Sequence, residues 1–208
     1  MKITPPTPFS IVIDTREQNP IKFPDGTPTI VDGCYPGDYS LVCPRDLIAI
    51  ERKGVAENHG VWTSDLVGTI TELLRGENGD LERGSLRFRW ELIAMSDIIH
   101  HGGIAFVATD RPRQWYADHR YFGGLHPSAL FGKIRSLIAD YAVPFYFFDS
   151  SQDLANFSLG IMLEVWKHKN GLQSYPAIPR DNPNANFLKW KRGFVERHCA
   201  NDSFSFSI

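Results

Sequence analysis

Asp38, Glu51 and Lys53 are the residues whose types and spacing can do chemistry. They lie in one stretch, Gly37 to Lys53: Gly-Asp-Tyr-Ser-Leu-Val, a short turn, then Leu-Ile-Ala-Ile-Glu-Arg-Lys. Asp38 opens the first run, and Glu51 and Lys53 close the second. Side chains alternate along a strand, so Glu51 and Lys53 share a face while Arg52 points to the other. Two carboxylates offer hard oxygen donors to a divalent cation. An ammonium beside them can hold a water or meet negative charge on a phosphate oxygen. Gly-Asp is also a common turn pair, and Glu-Arg-Lys a common solvated strand end. The apolar run Leu47-Ile48-Ala49-Ile50 favours the chemical reading, because it delivers the charges on a rigid element.

The elements that must position these charges follow from pattern. Pro44 presets a turn dihedral in Cys43-Pro44-Arg45-Asp46, which joins the two runs as paired strands. Ile11-Val12-Ile13 is a β-branched run closing on Asp14-Thr15-Arg16-Glu17 and predicts a buried strand. Ile21-Lys22-Phe23 predicts a brief strand before the Pro24-Asp25-Gly26 turn. Residues 54–60, with glycine at both ends, predict a mobile loop. Ser64 as N-cap and Leu66, Ile70, Leu73 and Leu74 on one face predict a helix closed by Arg75 and Gly76.

A second helix is predicted from Ser85 to Ser96, with Leu92 and Ile93 inward and Arg87 and Glu91 as an i,i+4 pair. Ile104–Ala108 is a clear strand. Residues 109–127 predict a long loop in which Arg111, Arg113 and Arg120 interleave with aromatics. That pattern suits nucleic-acid contact, and equally a lid anchored by its own rings. Ser128–Tyr141 predicts a helix with Leu130, Ile134, Leu137, Ile138 and Tyr141 on one stripe. Pro144–Phe148 predicts an apolar strand. The last long helix, capped by Ser151 or Asp153, turns Leu154, Phe157, Ile161 and Val165 inward. The order begins antiparallel and ends in strand–helix alternation, so the fold class is an α/β sandwich around a mixed central sheet.

With 208 residues, the chain has room for one substantial domain and a small appendage. Residues 1–170 form the expected domain. Residues 171–208 read as a proline-rich linker (Pro176, Pro179, Pro183) and a short basic helix near 184–198. Its Phe187, Trp190 and Phe194 form one docking stripe, and Lys189, Lys191 and Arg192 are available to DNA. A composition of 42% hydrophobic and 22% charged residues excludes disorder as the default. No apolar run approaches the ~18 residues a membrane span needs, so no membrane association is expected. The first residues lack the apolar region of a secretory signal, so a cytoplasmic location is expected, nucleoid-associated or in host cytoplasm for a viral source. Cys34, Cys43 and Cys199 form no Cys-x-x-Cys pair, which leaves a zinc site unsupported. His100 and His101 are adjacent and diverge on any regular element. The net charge is only -2, yet acids concentrate early while arginine and lysine enrich the middle and the C-terminal end. An acidic site flanked by basic regions suits a phosphate-backbone substrate.

Three ordered blocks, Ile13-Asp14-Thr15-Arg16-Glu17, Gly37-Asp38-Tyr39 and Ile50-Glu51-Arg52-Lys53, resemble the nuclease domain of the XPF-type structure-specific endonucleases. The resemblance covers roughly four fifths of the chain, to Lys169, counted against one domain length. It implies a restriction-endonuclease-like, three-layer PD-(D/E)XK core, with Asp14, Asp38 and Glu51 as ligands of Mg2+ or Mn2+. Lys53 would be the catalytic lysine, supported by Arg16, Glu17 and Arg52. It further implies cleavage of branched or junction-containing DNA in repair, recombination or replication, leaving a 5′-phosphate and a 3′-hydroxyl. Pairing through the later helices, as a homodimer or heterodimer, is implied as well. The sequence departs from the family pattern twice. The family's acid four residues past the lysine is here Glu57, while a family-like Asp-Leu-Val-Gly-Thr-Ile begins at Asp65, as though residues had been inserted. The family's tandem helix-hairpin-helix module has no counterpart in residues 171–208. Two other readings remain: another PD-(D/E)XK nuclease such as a junction resolvase, or a non-catalytic DNA-binding subunit of a nuclease complex.

Overall fold

The computed structural model describes residues 8–58, 61–76, 83–118 and 125–172. Strands β1 (Ile11–Asp14), β2 (Thr29–Asp32), β3 (Tyr39–Leu41), β4 (Ile48–Arg52), β7 (Ile104–Thr109) and β8 (Phe145–Phe147) form one sheet, in the order β2-β1-β3-β4-β7-β8. A separate hairpin pairs β5 (Val55–Asn58) with β6 (Val61–Ser64). The helices are α1 (Asp65–Gly76), α2 (Arg83–His100), α3 (Arg113–Asp118), α4 (Pro127–Tyr141) and α5 (Ser151–Lys169).

The sheet is mixed, as the element order predicts. β3 runs antiparallel to β1 and β4, while β4, β7 and β8 are parallel to one another. Leu66, Ile70 and Leu73 of α1, Phe88, Leu92 and Met95 of α2, and Leu130, Ile134 and Leu137 of α4 pack with Ala49, Ala105 and Val107 into one core. Helix α5 packs against β3, β4 and β7, so the sheet lies between two helical layers. No helix among the described residues is long and apolar enough to cross a membrane.

Local signals explain most boundaries. The Ser64 hydroxyl accepts from the Val67 N–H at 3.4 Å and caps α1. Helix α4 starts one residue early, with His126 Nδ1 accepting from the Ser128 N–H at 3.2 Å and Pro127 in its first turn. It ends where Ala142 takes a left-handed conformation (φ 57°) and its N–H donates to the Ile138 carbonyl at 2.9 Å.

Several expectations are corrected. Residues 21–23 form no strand; the one that follows β1 is β2, whose side chains are all exposed, so it carries no burial periodicity to read. The glycine-flanked loop is largely the β5–β6 hairpin. Helix α2 runs past Ser96 to His100. Ile93 (46% exposed) and Ile138 (38%) lie outside the core. Helix α3 interrupts the long loop. The cap of α5 is Ser150, whose hydroxyl accepts from the Asp153 N–H at 3.1 Å, and neither Ser151 nor Asp153 takes that place.

Candidate active site

Gly37 takes a φ of +85°, and a Cβ there would meet the Ile50 carbonyl oxygen at 2.8 Å. Only glycine permits this close approach of the β3 entrance to β4. Asp38 is thereby set beside Glu51: its N–H donates to the Ile50 carbonyl and its own carbonyl accepts from the Asp14 N–H, both at 2.8 Å. Asp38 Oδ2 accepts the Arg52 N–H at 2.8 Å. Glu51 is buried and directed, with Ala49, toward the layer of α1, α2 and α4. Its Oε1 accepts from Lys53 Nζ at 2.6 Å. Its Oε2 is buried and has no hydrogen-bond partner among the described residues. Lys53 lies 4.7 Å from the centre of the Phe88 ring, a cation–π contact that fixes the ammonium.

The electrostatics are those of a site short of positive charge. Burial, and then repulsion from Glu51, push the Asp38 carboxyl up to about 8, against the stabilising Arg52 N–H. Burial likewise raises Glu51, opposed by Lys53. Burial would lower Lys53, but the attraction and hydrogen bond of Glu51, with Glu91 and Asp38 beyond, hold it above its ordinary value. Glu91, on α2, is a participant that the pattern reading treats only as the partner of Arg87. The pair exists, at 2.9 Å, yet Glu91 is 1% exposed and its charge bears on Glu51, Lys53 and Arg16.

Asp14 adjoins this group through its backbone, and its carboxylate is occupied by donors. Its Oδ1 accepts from the Arg16 N–H at 2.8 Å and Arg16 Nε at 2.6 Å; its Oδ2 accepts from the Cys34 N–H at 2.7 Å and Arg16 Nη2 at 3.2 Å. Four donors fill the carboxylate, and Arg16 also reaches the Cys34 carbonyl at 3.1 Å. Burial raises the Asp14 carboxyl, but the Arg16 and Cys34 hydrogen bonds outweigh it and hold the group below its ordinary value. Among the described residues no three His, Cys, Asp or Glu side chains converge as a ready ligand set. Asp38 and Glu51 stand together at the Lys53 ammonium, while the carboxylate of Asp14, expected beside them as a ligand, is taken up by Arg16 and the Cys34 N–H.

Arg52 faces the α5 side and is a second brace. It donates to the Asn19 carbonyl at 2.7 Å, Glu17 Oε1 at 3.4 Å and Asp110 Oδ2 at 3.0 Å. Asp110, just past β7, also accepts from the Ser151 hydroxyl at 2.8 Å. Its buried Oδ1 has no partner among the described residues. Because the Arg52 backbone carries the N–H that holds Asp38, Asp110 fixes the site from outside it. Asp110→Ala removes one partner of a buried ion pair and is expected to cost on the order of 3 kcal/mol of stability in denaturant melts. A midpoint unchanged from wild type would remove Asp110 from the brace.

The hairpin brings the chain back to Gly54 at Asp65. The Asp65 N–H donates to the Gly54 carbonyl at 3.1 Å, and Val55 pairs with Ser64. Asp65 therefore follows Gly54 in space, with β5 and β6 as the inserted excursion. The backbone of Glu57 lies opposite Trp62, two pairs out along that excursion; its side chain is outside the described residues. Asp65 is exposed at the start of α1. Arg113 is exposed over the Phe131 ring, 4.7 Å from its centre, and Arg111 donates to the Asp110 carbonyl at 3.0 Å. Arg120, Lys189, Lys191 and Arg192, and the helix expected near 184–198, lie outside the described residues.

A divalent cation fits the centre. Two carboxylates face one ammonium, each carboxylate is raised by burial, and one buried oxygen has no partner. Hard oxygen donors are the set that Mg2+ or Mn2+ takes.

No family model and no curated protein matches the chain. Among solved structures it is similar to XPF from Aeropyrum pernix, with a TM-score of 0.51 and 18% identity, over 90% of this chain and 74% of that one. It is also similar to XPF from Aeropyrum pernix in complex with DNA, with a TM-score of 0.50 and 20% identity, over 91% and 84% of the two chains. At these identities the likeness is one of fold, and it extends across the sheet and helices that hold the centre.

Proposed function

We propose that the chain is a metal-dependent DNA endonuclease that hydrolyses phosphodiester bonds at branched or junction-containing DNA. The observation that carries this reading is the trio of buried Glu51 with half-buried Asp38 and Lys53, a 2.6 Å Lys53–Glu51 contact and an unpartnered Glu51 oxygen. The shared fold with XPF, one of whose structures holds DNA, supports the choice of substrate.

Asp38 and Glu51 would hold Mg2+ or Mn2+. Bound there, the ion would lower the pKa of its water and offset charge on the non-bridging phosphate oxygens. Lys53, held charged by Glu51 and seated on Phe88, would orient the attacking water and meet charge that develops on the phosphoryl group. Arg52 holds Asp38 in place through its N–H, and Arg16 holds Asp14 behind the pair. Asp65 is the better-placed heir of the family's downstream acid. Arg111 and Arg113, with Arg120 and the C-terminal Lys189, Lys191 and Arg192, would contact the DNA backbone. Action in repair or recombination, and pairing through α4 and α5, belong to the same reading.

The test is cleavage by the purified chain of flap, splayed-arm, four-way-junction and linear duplex DNA, with Mg2+ or Mn2+ and with EDTA. Branched DNA should be cut in either metal and uncut in EDTA. Failure to cut any of the four with metal present, or equal cutting in EDTA, rejects the reading.

A further inference from the structure

Trp90, Tyr35 and Tyr141 line one groove of about 410 Å³, and each comes from a different part of the chain: α2, the segment between β2 and β3, and the end of α4. Trp90 and Tyr35 are left 62% and 61% exposed, although burying such rings is the ordinary outcome. The groove shares no lining residue with the centre of Asp38, Glu51 and Lys53. The nuclease reading therefore leaves it without a task.

The electrostatics of the groove have one sign. Asp97 lines it, and no lysine or arginine of the described residues does. The Asp97 carboxylate is 72% exposed and lies 3.4 Å from His101 Nδ1. That nitrogen donates instead to the Asp97 carbonyl, at 2.9 Å, so the carboxylate keeps its acceptor sites. His100 Nδ1 likewise donates to the Ser96 carbonyl at 2.8 Å, which leaves Nε2 as an acceptor in the neutral ring.

The helix ends add to this. Asp97 and His100 lie in the last turn of α2, and Tyr141 is the last residue of α4. A helix C-terminus carries partial negative charge, which lysine or arginine in the last turn ordinarily offsets. Arg75 does so for α1, and Lys167 and Lys169 do so for α5. Helix α4 has no basic residue in its last turn, and α2 has only His100 there. Two helix ends without lysine or arginine, an exposed carboxylate and three rings with negative faces meet in one groove. That combination suits a cation with an apolar surface.

We infer that the groove binds a small organic cation of the alkylammonium class, with Trp90, Tyr35 and Tyr141 about the cationic head and Asp97 as its counter-ion. Charge decides the occupant. A nucleic-acid strand would bring phosphate to an acid and two negative helix ends, with no cation of the groove to receive it. A second copy seated groove to groove would set like charges against each other. The volume falls within the range of small-molecule sites.

The test titrates the full chain with choline in a calorimeter, and separately with its neutral isostere, in which a tert-butyl group replaces the trimethylammonium. Wild type should bind choline on the order of 10-fold more tightly than the isostere, because only the charged head gains from the rings and the carboxylate. Asp97→Asn and Trp90→Ala should each weaken choline on the order of 10-fold and bring it near the isostere. Trp90→Phe, which keeps a ring, should lose less. Asp97 and Trp90 are both exposed, so neither change opens the core. Equal affinity for choline and the isostere would make the groove merely apolar and overturn the inference. So would a wild type that binds neither ligand, or Asp97→Asn and Trp90→Ala chains that bind choline as wild type does. A single-stranded oligonucleotide that displaces choline would assign the groove to nucleic acid and also overturn it. None of these readouts involves cleavage, so the inference stands or falls apart from the nuclease reading.

Discussion

Lys53→Met lowers the cleavage rate by on the order of 10³-fold or more, about 4 kcal/mol of transition-state stabilisation, while the protein still folds and still takes up Mg2+. The expectation follows from what Lys53 touches. Its ammonium bonds one Glu51 oxygen at 2.6 Å and rests on Phe88. Methionine keeps the unbranched stem on the ring and removes the charge. The pair Asp38–Glu51 is then left without its nearest cation, so Mg2+ is the one remaining way to offset it and should stabilise the variant at least as much as wild type. A group that only supported the cation site would behave otherwise, with cleavage and Mg2+-dependent stabilisation falling together. The two readouts are single-turnover cleavage of the best branched substrate and the shift in melting temperature on adding Mg2+. Cleavage at the wild-type rate would remove Lys53 from the chemistry. Loss of both responses would make it a support of the cation site.

How much of this was legible without coordinates depended on whether a signal was local. Ile11–Ile13, Ile48–Ile50 and Ile104–Ala108 are apolar runs of strand length, and all three form the buried strands expected of them. The N-cap at Ser64 and the face of α1 were readable because a helix declares its own start and its own period. Strand β2 was not, because its exposed side chains show no alternation and its place is set by pairing with β1. The hairpin hid behind glycines that suggested a loop. Asp110 follows an apolar strand as Glu51 does, so the same rule pointed to it; its partners Arg52 and Ser151, however, are distant in sequence. Glu91 falls on the buried stripe of Phe88, Leu92 and Met95, a placement that separates it from a surface ion pair. The family-like blocks lead to Asp38, Glu51 and Lys53, which the fold brings together, but carry no sign of the donors that surround Asp14. Type and spacing cannot show that four donors already occupy a carboxylate.

Asp38→Asn presents the opposite combination, a protein that loses cleavage and gains stability when metal is withheld. The sign follows from linkage. The Asp38 carboxyl is raised from 3.8 to about 8 in the folded chain, by burial first and by Glu51 second. Below its unfolded value the group is protonated in both states and costs nothing. As pH rises, the unfolded chain gives up this proton and the folded chain keeps it, so stability falls until the folded value is passed. Glu51, also raised, tilts the curve the same way. Asp14, held low, contributes stability already complete above its unfolded value, and Lys53, held high, loses its contribution only above its unfolded range. Neither opposes the slope at neutral pH. Asparagine keeps an oxygen for the Arg52 N–H and cannot ionise. In EDTA the variant should therefore melt higher than wild type near pH 8, by an amount worth up to several kcal/mol. The two curves should converge only as pH falls below 3.8, where the wild-type carboxyl is protonated in the folded and the unfolded chain alike. Saturating Mg2+ should reverse the order, because binding to the folded state adds stability and the wild type binds more tightly. Melting curves that coincide near pH 8 in EDTA would show that Asp38 is not held in an uncompensated, desolvated place. The case for a cation between Asp38 and Glu51 would then fall with it.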